Sequence, residues 1–478
     1  MSGAEQEQMA LDAWMRLHKP HLVGNYQEDG GYYVEVLQWG DDDIPAEGND
    51  YGSEPIMLQD TCWMFTDIVG RTLDGDVYLT RTPELAEMNG TFSYNTHYTP
   101  YLNYCGDVNL GLLEGTYLAT RNDLTLSDEY LAEYWPDKGD TFRMRRGSKV
   151  RLYMTSTIAY GEEGSSVQGG YEGQYSLSPN IPTIMDIDVK RTIKNPSDLE
   201  LDMVATFVNG FSDWRQVPEK EEYGEDEEVT YLKGLYYNLN YNPRTAVSMP
   251  HRYQQSHLSG VNNPYRDTKK YADMDAVERK ISEIFLERFG EAMPTSDMTD
   301  ENLVTKENSA NVWYVVRFLD GFIVDTNIDE LREYIYNDKS AAGKAFSYRA
   351  KDDDNKSEGE SLNAIGAWYY CIPRLHFGQY AAIVTTSGYA YGISGISGTT
   401  STTTDNSNVE LQNYLAMANY YNYYNYYYYG YGDYYNYYDY SNYAVSDNTA
   451  ESTTTTVGTE ILPYTPLVFY LYVEPKQD

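Results

Sequence analysis

Residues 361–392, SLNAIGAWYYCIPRLHFGQYAAIVTTSGYAYG, hold more structural signal than any other stretch of this 478-residue chain. Tyr380–Thr385 is β-branched and aromatic and reads as a strand. Gly378-Gln379 makes the turn before it, and Ala390-Tyr391-Gly392 is a tight turn that closes it. Trp368 lies ten residues before Gly378 and Tyr391 thirteen after it. A short helix beginning near Asn363 and the strand can therefore present both rings to one cavity.

Ile365, Trp368, Gly378-Gln379 and Ala390-Tyr391-Gly392 fall at the spacing of V-I-x-G-W, G-[EQ] and A-Y-G. That pattern resembles the signature of FKBP-type peptidyl-prolyl isomerases, with Ala367 where the family has Gly. Upstream, Tyr314–Asp325 (YVVRFLDGFIVD) is similar to the family's Y-T-G-x-L-x-D-G-x-x-F-D, a strand, a D-G turn and a return strand, with Val324 in place of Phe. Phe346 resembles the aromatic of the next strand, and Leu462–Val473 (LPYTPLVFYLYV) the closing I-P-P-x-x-x-L-V-F-x-V. Five fragments in the family's order carry more weight than one motif.

The resemblance implies an α+β fold in which a twisted antiparallel sheet wraps a short helix, with the strands of Tyr314 and Asp325 pairing with Tyr380–Thr385. It also implies a site. Trp368 forms the floor and Tyr314, Phe346 and Phe469 the walls. The Ile365 N–H donates to the carbonyl before proline, and the Tyr391 hydroxyl donates to a neighbouring carbonyl. Asp325 orients Tyr314 or polarises the rotating carbonyl. Rotation about X-Pro is opposed by amide resonance, about 18–20 kcal/mol. An apolar pocket that favours the twisted amide lowers that barrier without metal, nucleophile or cofactor. Packed aromatics of an ordinary core are the alternative reading of the same rings.

An internal repeat runs through the chain. Ile68–Leu79 aligns with Tyr314–Asp325 without a gap, Val108–Gly115 resembles V-I-x-G-W-x-x-G, and Gly147 to Tyr160 repeats the thirteen-residue Gly-to-Tyr spacing. Pro182–Val189 supplies the last strand. The earlier copy carries Ile68, Tyr78-Leu79, Leu112 and Met185 where the family has its Tyr, Phe-Asp, Trp and Phe, and keeps Tyr160 and Tyr101. Any activity is expected in the later copy alone. The expected organisation is a degenerate domain at 1–206, a connecting acidic segment and helix at 207–305, and a second domain at 306–478 with an insertion at 399–459.

Residues 4–17 have helical periodicity, with Ala10, Ala13, Trp14 and Leu17 on one face and Pro20 after them. In the connecting segment Val277, Ile281, Ile284, Phe285 and Phe289 recur at helical spacing behind an Asp275/Glu278 capping box, with Gly290 as the stop. That helix is expected to pack on the second domain as residues 4–17 pack on the first. Pro218–Val229 and Lys351–Lys356 read as solvated charged loops, with a cation site as the alternative.

A net charge of −38 excludes nucleic acid and anionic membrane surfaces as partners. No apolar run is long enough to span a membrane. Cys62, Cys105 and Cys371 are odd in number and set in aromatic sequence, which favours buried free thiols. Met1-Ser2-Gly3-Ala4 leads into polar sequence without a secretory leader, so the chain is either cytoplasmic or a mature export product stripped of leader and anchor. Long Tyr-, Asn-, Asp-, Thr- and Gly-rich insertions resemble those of cell-envelope lipoproteins of the Bacteroidota and favour the second. Tyr414–Tyr443 holds sixteen tyrosines. It reads as a low-complexity insertion, or as a surface that docks over the pocket or on a partner.

Three function classes follow. One is a peptidyl-prolyl isomerase-like foldase or chaperone of the envelope acting on proline-containing polypeptides. Another is an idle FKBP scaffold serving as a binding subunit of an outer-membrane assembly or secretion complex. The third is a glycan-binding surface lipoprotein.

Overall fold

β-Branched and aromatic runs build two seven-stranded sheets in which every paired neighbour is antiparallel. The computed structural model describes residues 3–42, 52–59, 62–90, 97–106, 113–161, 164, 177–209, 213–220, 224, 227–246, 274–305, 309–336, 343–349, 364–392, 395–396 and 460–476. The Tyr-rich stretch and Lys351–Lys356 lie outside these residues. The described residues through Leu199 form one compact unit and those from Glu200 onward the other.

In the first unit the strands are β1 (Tyr26–Gln27), β2 (Tyr32–Gln38), β3 (Trp63–Thr72), β4 (Val77–Thr80), β5 (Tyr101–Tyr104), β6 (Leu124–Thr125), β7 (Thr141–Phe142), β8 (Lys149–Met154) and β9 (Thr183–Ile193). The second has β10 (Arg215–Pro218), β11 (Tyr231–Asn238), β12 (Ser309–Phe318), β13 (Ile323–Thr326), β14 (Phe346–Arg349), β15 (Tyr380–Thr385) and β16 (Leu467–Pro475). The sheets run β1-β2-β8-β9-β3-β4 and β10-β11-β15-β16-β12-β13, with β5 added on β3 and β14 on β12. Strand for strand the order is the same. With helices packed on antiparallel sheets, the chain is α+β.

Register makes the duplication exact at the level of single residues. Gly70 faces Leu79 and Met185; Val316 faces Asp325 and Phe469. Both hairpins bulge at the same step, between Gly70 and Arg71 and between Val316 and Arg317. Both turn through a glycine at positive φ, Gly75 (97°) and Gly321 (91°), where a side chain would be strained. After β8 and β15, Gly161 N–H donates to Ser156 O (2.7 Å) and Gly392 N–H to Ser387 O (2.8 Å).

Several sequence expectations are corrected. β12 and β13 do not pair with β15, because β16 lies between. β16 is apolar on both faces and nearly all buried, which suits a central strand paired along both edges. Residues 207–305 are more than a connector: β10 and β11 pair with each other, β11 pairs with β15, and the acidic Pro218–Val229 stretch, partly outside the described residues, lies between them in sequence. Two strands of the second sheet thus come from sequence that the FKBP pattern does not cover.

The helix at Gly3–His18 buries Leu11 and Met15, while Leu17 is 75% exposed and Ala10 and Ala13 face solvent. Its inner stripe is Glu7, Leu11 and Met15, spaced by four, and Trp14 packs beside it on Tyr153. Helix Pro196–Asn209 repeats that stripe as Glu200, Val204 and Val208, with Val204 and Val208 buried. This helix, not Met274–Phe289, is the counterpart of Gly3–His18.

Met274–Phe289 is an addition. It covers the outer face of the second sheet: Phe289 stacks on Tyr472 (4.4 Å) and meets Trp313 (5.7 Å), and Tyr380 donates to Phe285 O (3.1 Å) and Gly290 O (2.8 Å). Gly290, at φ 84°, ends the helix. In the first sheet the register positions of Trp313 and Tyr472 hold Asp67 and Asp188. Lys190 reaches both carboxylates, at 3.2 and 2.7 Å. One sheet presents an aromatic back to a helix; the other presents ion pairs.

Candidate functional site

Helix Gly366–Cys371 is only six residues long and buries Ala367, Trp368 and Cys371. It starts three residues after Asn363, which lies outside the described residues. Ile365 is its N-cap, extended at φ −64° and ψ 153°, and its carbonyl accepts from Trp368 N–H at 3.0 Å. As an N-cap amide, the Ile365 N–H has no intrahelical partner, and among the described residues none accepts it.

Trp368 stands at the centre of three rings. Tyr314 (5.3 Å between centroids, 66°), Phe346 (5.2 Å, 85°) and Phe469 (5.8 Å, 79°) all meet it edge to face. This is the arrangement that ring quadrupoles favour. The indole is 5% exposed, and among the described residues its Nε1–H has no hydrogen-bond partner. β12, β14, β16 and the helix thus each contribute one aromatic to a single cluster.

A polar edge adjoins the rings. Tyr314 hydroxyl donates to Asp325 Oδ2 at 2.9 Å. Burial pushes Asp325 up to about 6, against the pull of the Tyr314 bond, the Thr326 N–H and the Arg332 charge. The Tyr314 phenol is pushed upward too, first by burial and then by the Asp325 and Tyr391 charges beside it. The residues expected from sequence, Asp325, Tyr391, Trp368, Tyr314, Phe346, Ile365 and Phe469, therefore lie in one neighbourhood.

Three contributors were not legible in the sequence reading. Arg332, on helix Asp329–Tyr336, supplies a positive charge that acts on both members of this carboxylate–phenol pair. Asn327, just after β13, bonds β12 twice and the segment before β14 once: Oδ1 accepts from Tyr314 N–H (2.8 Å), and Nδ2 donates to Val312 O (2.9 Å) and Lys344 O (3.1 Å). Glu200 grips the turn that carries Tyr391, accepting from Ser387 N–H and Oγ–H, both at 2.8 Å. Glu7 does the same for Ser156 in the first unit, both at 2.6 Å. A glutamate recurring in an otherwise apolar i, i+4, i+8 stripe was the available signal.

The first unit dismantles this site. Register puts Ile68, Leu79 and Ala86 where the second has Tyr314, Asp325 and Arg332. Carboxylate, hydrogen-bond donor and counter-ion are lost together, as they must be, since any one left alone would be a buried unpaired group. Tyr101 pairs with Thr66 as Phe346 pairs with Val312, so it takes the Phe346 place. Leu112 lies outside the described residues. Counting from the N-cap Leu113, the position of Trp368 falls to Thr116, which is buried.

Tyr78, at the position of Val324, fills the space. It bonds Thr183 Oγ1 at 2.5 Å and meets Tyr160 edge on at 5.7 Å. A Cβ on Gly70 would stand 2.5 Å from its ring, so glycine there is what admits the tyrosine. Gly70→Ala is expected to destabilise the first unit by about 1–3 kcal/mol through overpacking. Adding Tyr78→Val should recover part of that loss in denaturant titrations. A neutral Gly70→Ala would show that the ring does not need the gap.

No family model matches the sequence and no curated protein does. Among solved structures the chain is similar to a peptidyl-prolyl cis-trans isomerase from Pseudomonas syringae pv. tomato, at 17% identity over 40% of this chain and 98% of that one, with a TM-score of 0.23. The structure of the three FKBP domains of wheat FKBP73 shares 11% identity over 94% of this chain and 95% of its own, with a TM-score of 0.20. FkpA from Escherichia coli shares 13% over 40% of this chain and 59% of its own, with a TM-score of 0.23. The two-unit α+β architecture itself stands on the registers and hydrogen bonds described above.

Proposed function

We propose that the second unit is an FKBP-like domain that binds proline-containing polypeptides at the Trp368 cluster and speeds their cis-trans isomerisation, as a foldase or chaperone. The observation that carries this reading is the cluster itself: one indole ringed edge-on by Tyr314, Phe346 and Phe469, bordered by the Tyr314–Asp325 hydrogen bond. An apolar floor takes the prolyl ring out of water. The unengaged Ile365 N–H suits the carbonyl before proline, and the Tyr391 hydroxyl a neighbouring carbonyl. Asp325 holds Tyr314 in place or polarises the rotating carbonyl. A site that grips the twisted amide better than the planar one accelerates the rotation. The first unit, with Ile68, Leu79 and Tyr78 in place of these groups, is a fold without the activity.

A second reading is a catalytically idle scaffold that holds proline-containing segments, as a binding subunit of an envelope complex. Val324 favours it, since it leaves one wall aliphatic where the FKBP pattern has an aromatic ring. Placement in the cell envelope belongs to the same proposal and rests on the composition of the insertions. Isomerisation of a short X-Pro peptide by the full chain, measured beside peptide binding, separates the two. Acceleration that Trp368→Leu or Asp325→Leu removes supports the isomerase. Saturable binding without acceleration supports the scaffold, and neither would refute both.

A further inference from the structure

Cys62 and Cys105 are far apart in sequence yet directly opposed in space. β3 and β5 pair Trp63 with Tyr104, and the next step of the ladder brings Cys105 N–H to Cys62 O at 2.9 Å. Residues that face each other across such a hydrogen-bonded antiparallel step have Cα atoms about 5.5 Å apart, inside the roughly 4.4–6.8 Å range that a disulfide bridges. Both side chains are fully buried and both thiols are free, as is Cys371. Burial first, and Cys62 beside it second, hold the Cys105 proton more tightly than in water.

We propose that Cys62 and Cys105 are a disulfide-forming pair that staples β5 to β3 in the first unit. β5 is where a staple has most to do. It is four residues long, lies off the main path of the sheet and, among the described residues, pairs with β3 alone. In the second unit the residues next in sequence to the Ser309–Arg349 pair are Asn308 and Ala350, so that unit has no matching cysteines.

The oxidant is a disulfide-bearing exchange partner, such as oxidised glutathione or a thiol–disulfide oxidoreductase. Cys105 thiolate, formed while β5 is undocked and the thiol stands in water, attacks one sulfur of that partner and releases one thiolate. Cys62 thiolate then attacks Cys105 Sγ and displaces the second. One protein disulfide forms, one partner disulfide is reduced to two thiols, and the two protein protons pass to them. Because both cysteines are buried once β5 docks, the exchange belongs to folding or to opening of β5.

The test uses the full-length chain, refolded with oxidised glutathione in one sample and with dithiothreitol in another. Each is denatured in the presence of iodoacetamide and digested. The expected result is one alkylated cysteine per oxidised chain, Cys371, and a peptide pair joined through Cys62 and Cys105. Three are expected in the reduced chain. The first-unit melting temperature should rise on oxidation by roughly 10 °C, the scale expected for closing a loop of this length in a domain of this size. Cys105→Ser should abolish the shift, and Cys371→Ser should keep it. Three alkylated cysteines after oxidation, or a cross-link through Cys371, would overturn the pairing.

Discussion

Trp368→Ala is expected to cost the second unit about 3–5 kcal/mol, the usual range for deleting a large ring from a packed interior. The loss combines the apolar area of the indole with the three edge-to-face contacts it makes to Tyr314, Phe346 and Phe469. In a denaturant titration followed by fluorescence and circular dichroism, the second unit should melt well before the first, whose transition stays in place. Trp368→Leu, which retains apolar volume, should keep more stability but lose prolyl-peptide binding. That split separates the floor of a site from an ordinary core ring. A cost below about 1 kcal/mol for Trp368→Ala would mean that the indole is not packed as described.

Acid should stabilise the second unit, the reverse of the usual expectation for an acidic protein. Glu200 is almost wholly buried, and desolvation pushes its carboxyl up to about 7 although Ser387 donates two hydrogen bonds to it. An acid whose folded pKa is raised binds its proton more tightly folded than unfolded. Its stabilisation is fully present below the unfolded value, near 4.5, and is lost as pH rises through about 7. The expected loss is about 3 kcal/mol for Glu200. Asp325, raised to about 6, acts in the same direction between about 4 and 6. Glu200→Gln should flatten most of the slope in urea midpoints measured from pH 4.5 to 7.5. An unchanged slope in that variant would show that Glu200 is not the group responsible.

The hairpin from Tyr314 to Asp325 was legible because a D-G turn and a bulge fix its register, and a glycine at positive φ leaves little choice of loop. The ring cluster was legible because four aromatics fall at fixed distances from such turns. Sheet order was not. Nothing local in Leu467–Val473 says that the last strand slides between β12 and β15, since insertion of a strand is decided by contacts distant in sequence. The 207–305 segment was misjudged for a similar reason. β10 is short and flanks an acidic run of sequence, and it joins the sheet only through β11, which pairs on β15. The inner face of Gly3–His18 was misread because alanines and a leucine were weighted above Glu7, whose carboxylate points inward to Ser156. Arg332 escaped because a charged residue on a short helix usually faces water, and only the fold sets it near Asp325.

The difference between the two units can be transplanted. Val316→Gly with Val324→Tyr gives the second unit the glycine and tyrosine that close the first, at positions whose registers match. The most direct test of the site is the isomerisation rate of a short X-Pro peptide with the full-length chain and with this double variant, at equal concentration and with folding confirmed by circular dichroism. The expected result is acceleration over the uncatalysed rate by the natural chain and none by the double variant. Equal acceleration by both would place the activity elsewhere and contradict the assignment of the Trp368 cluster.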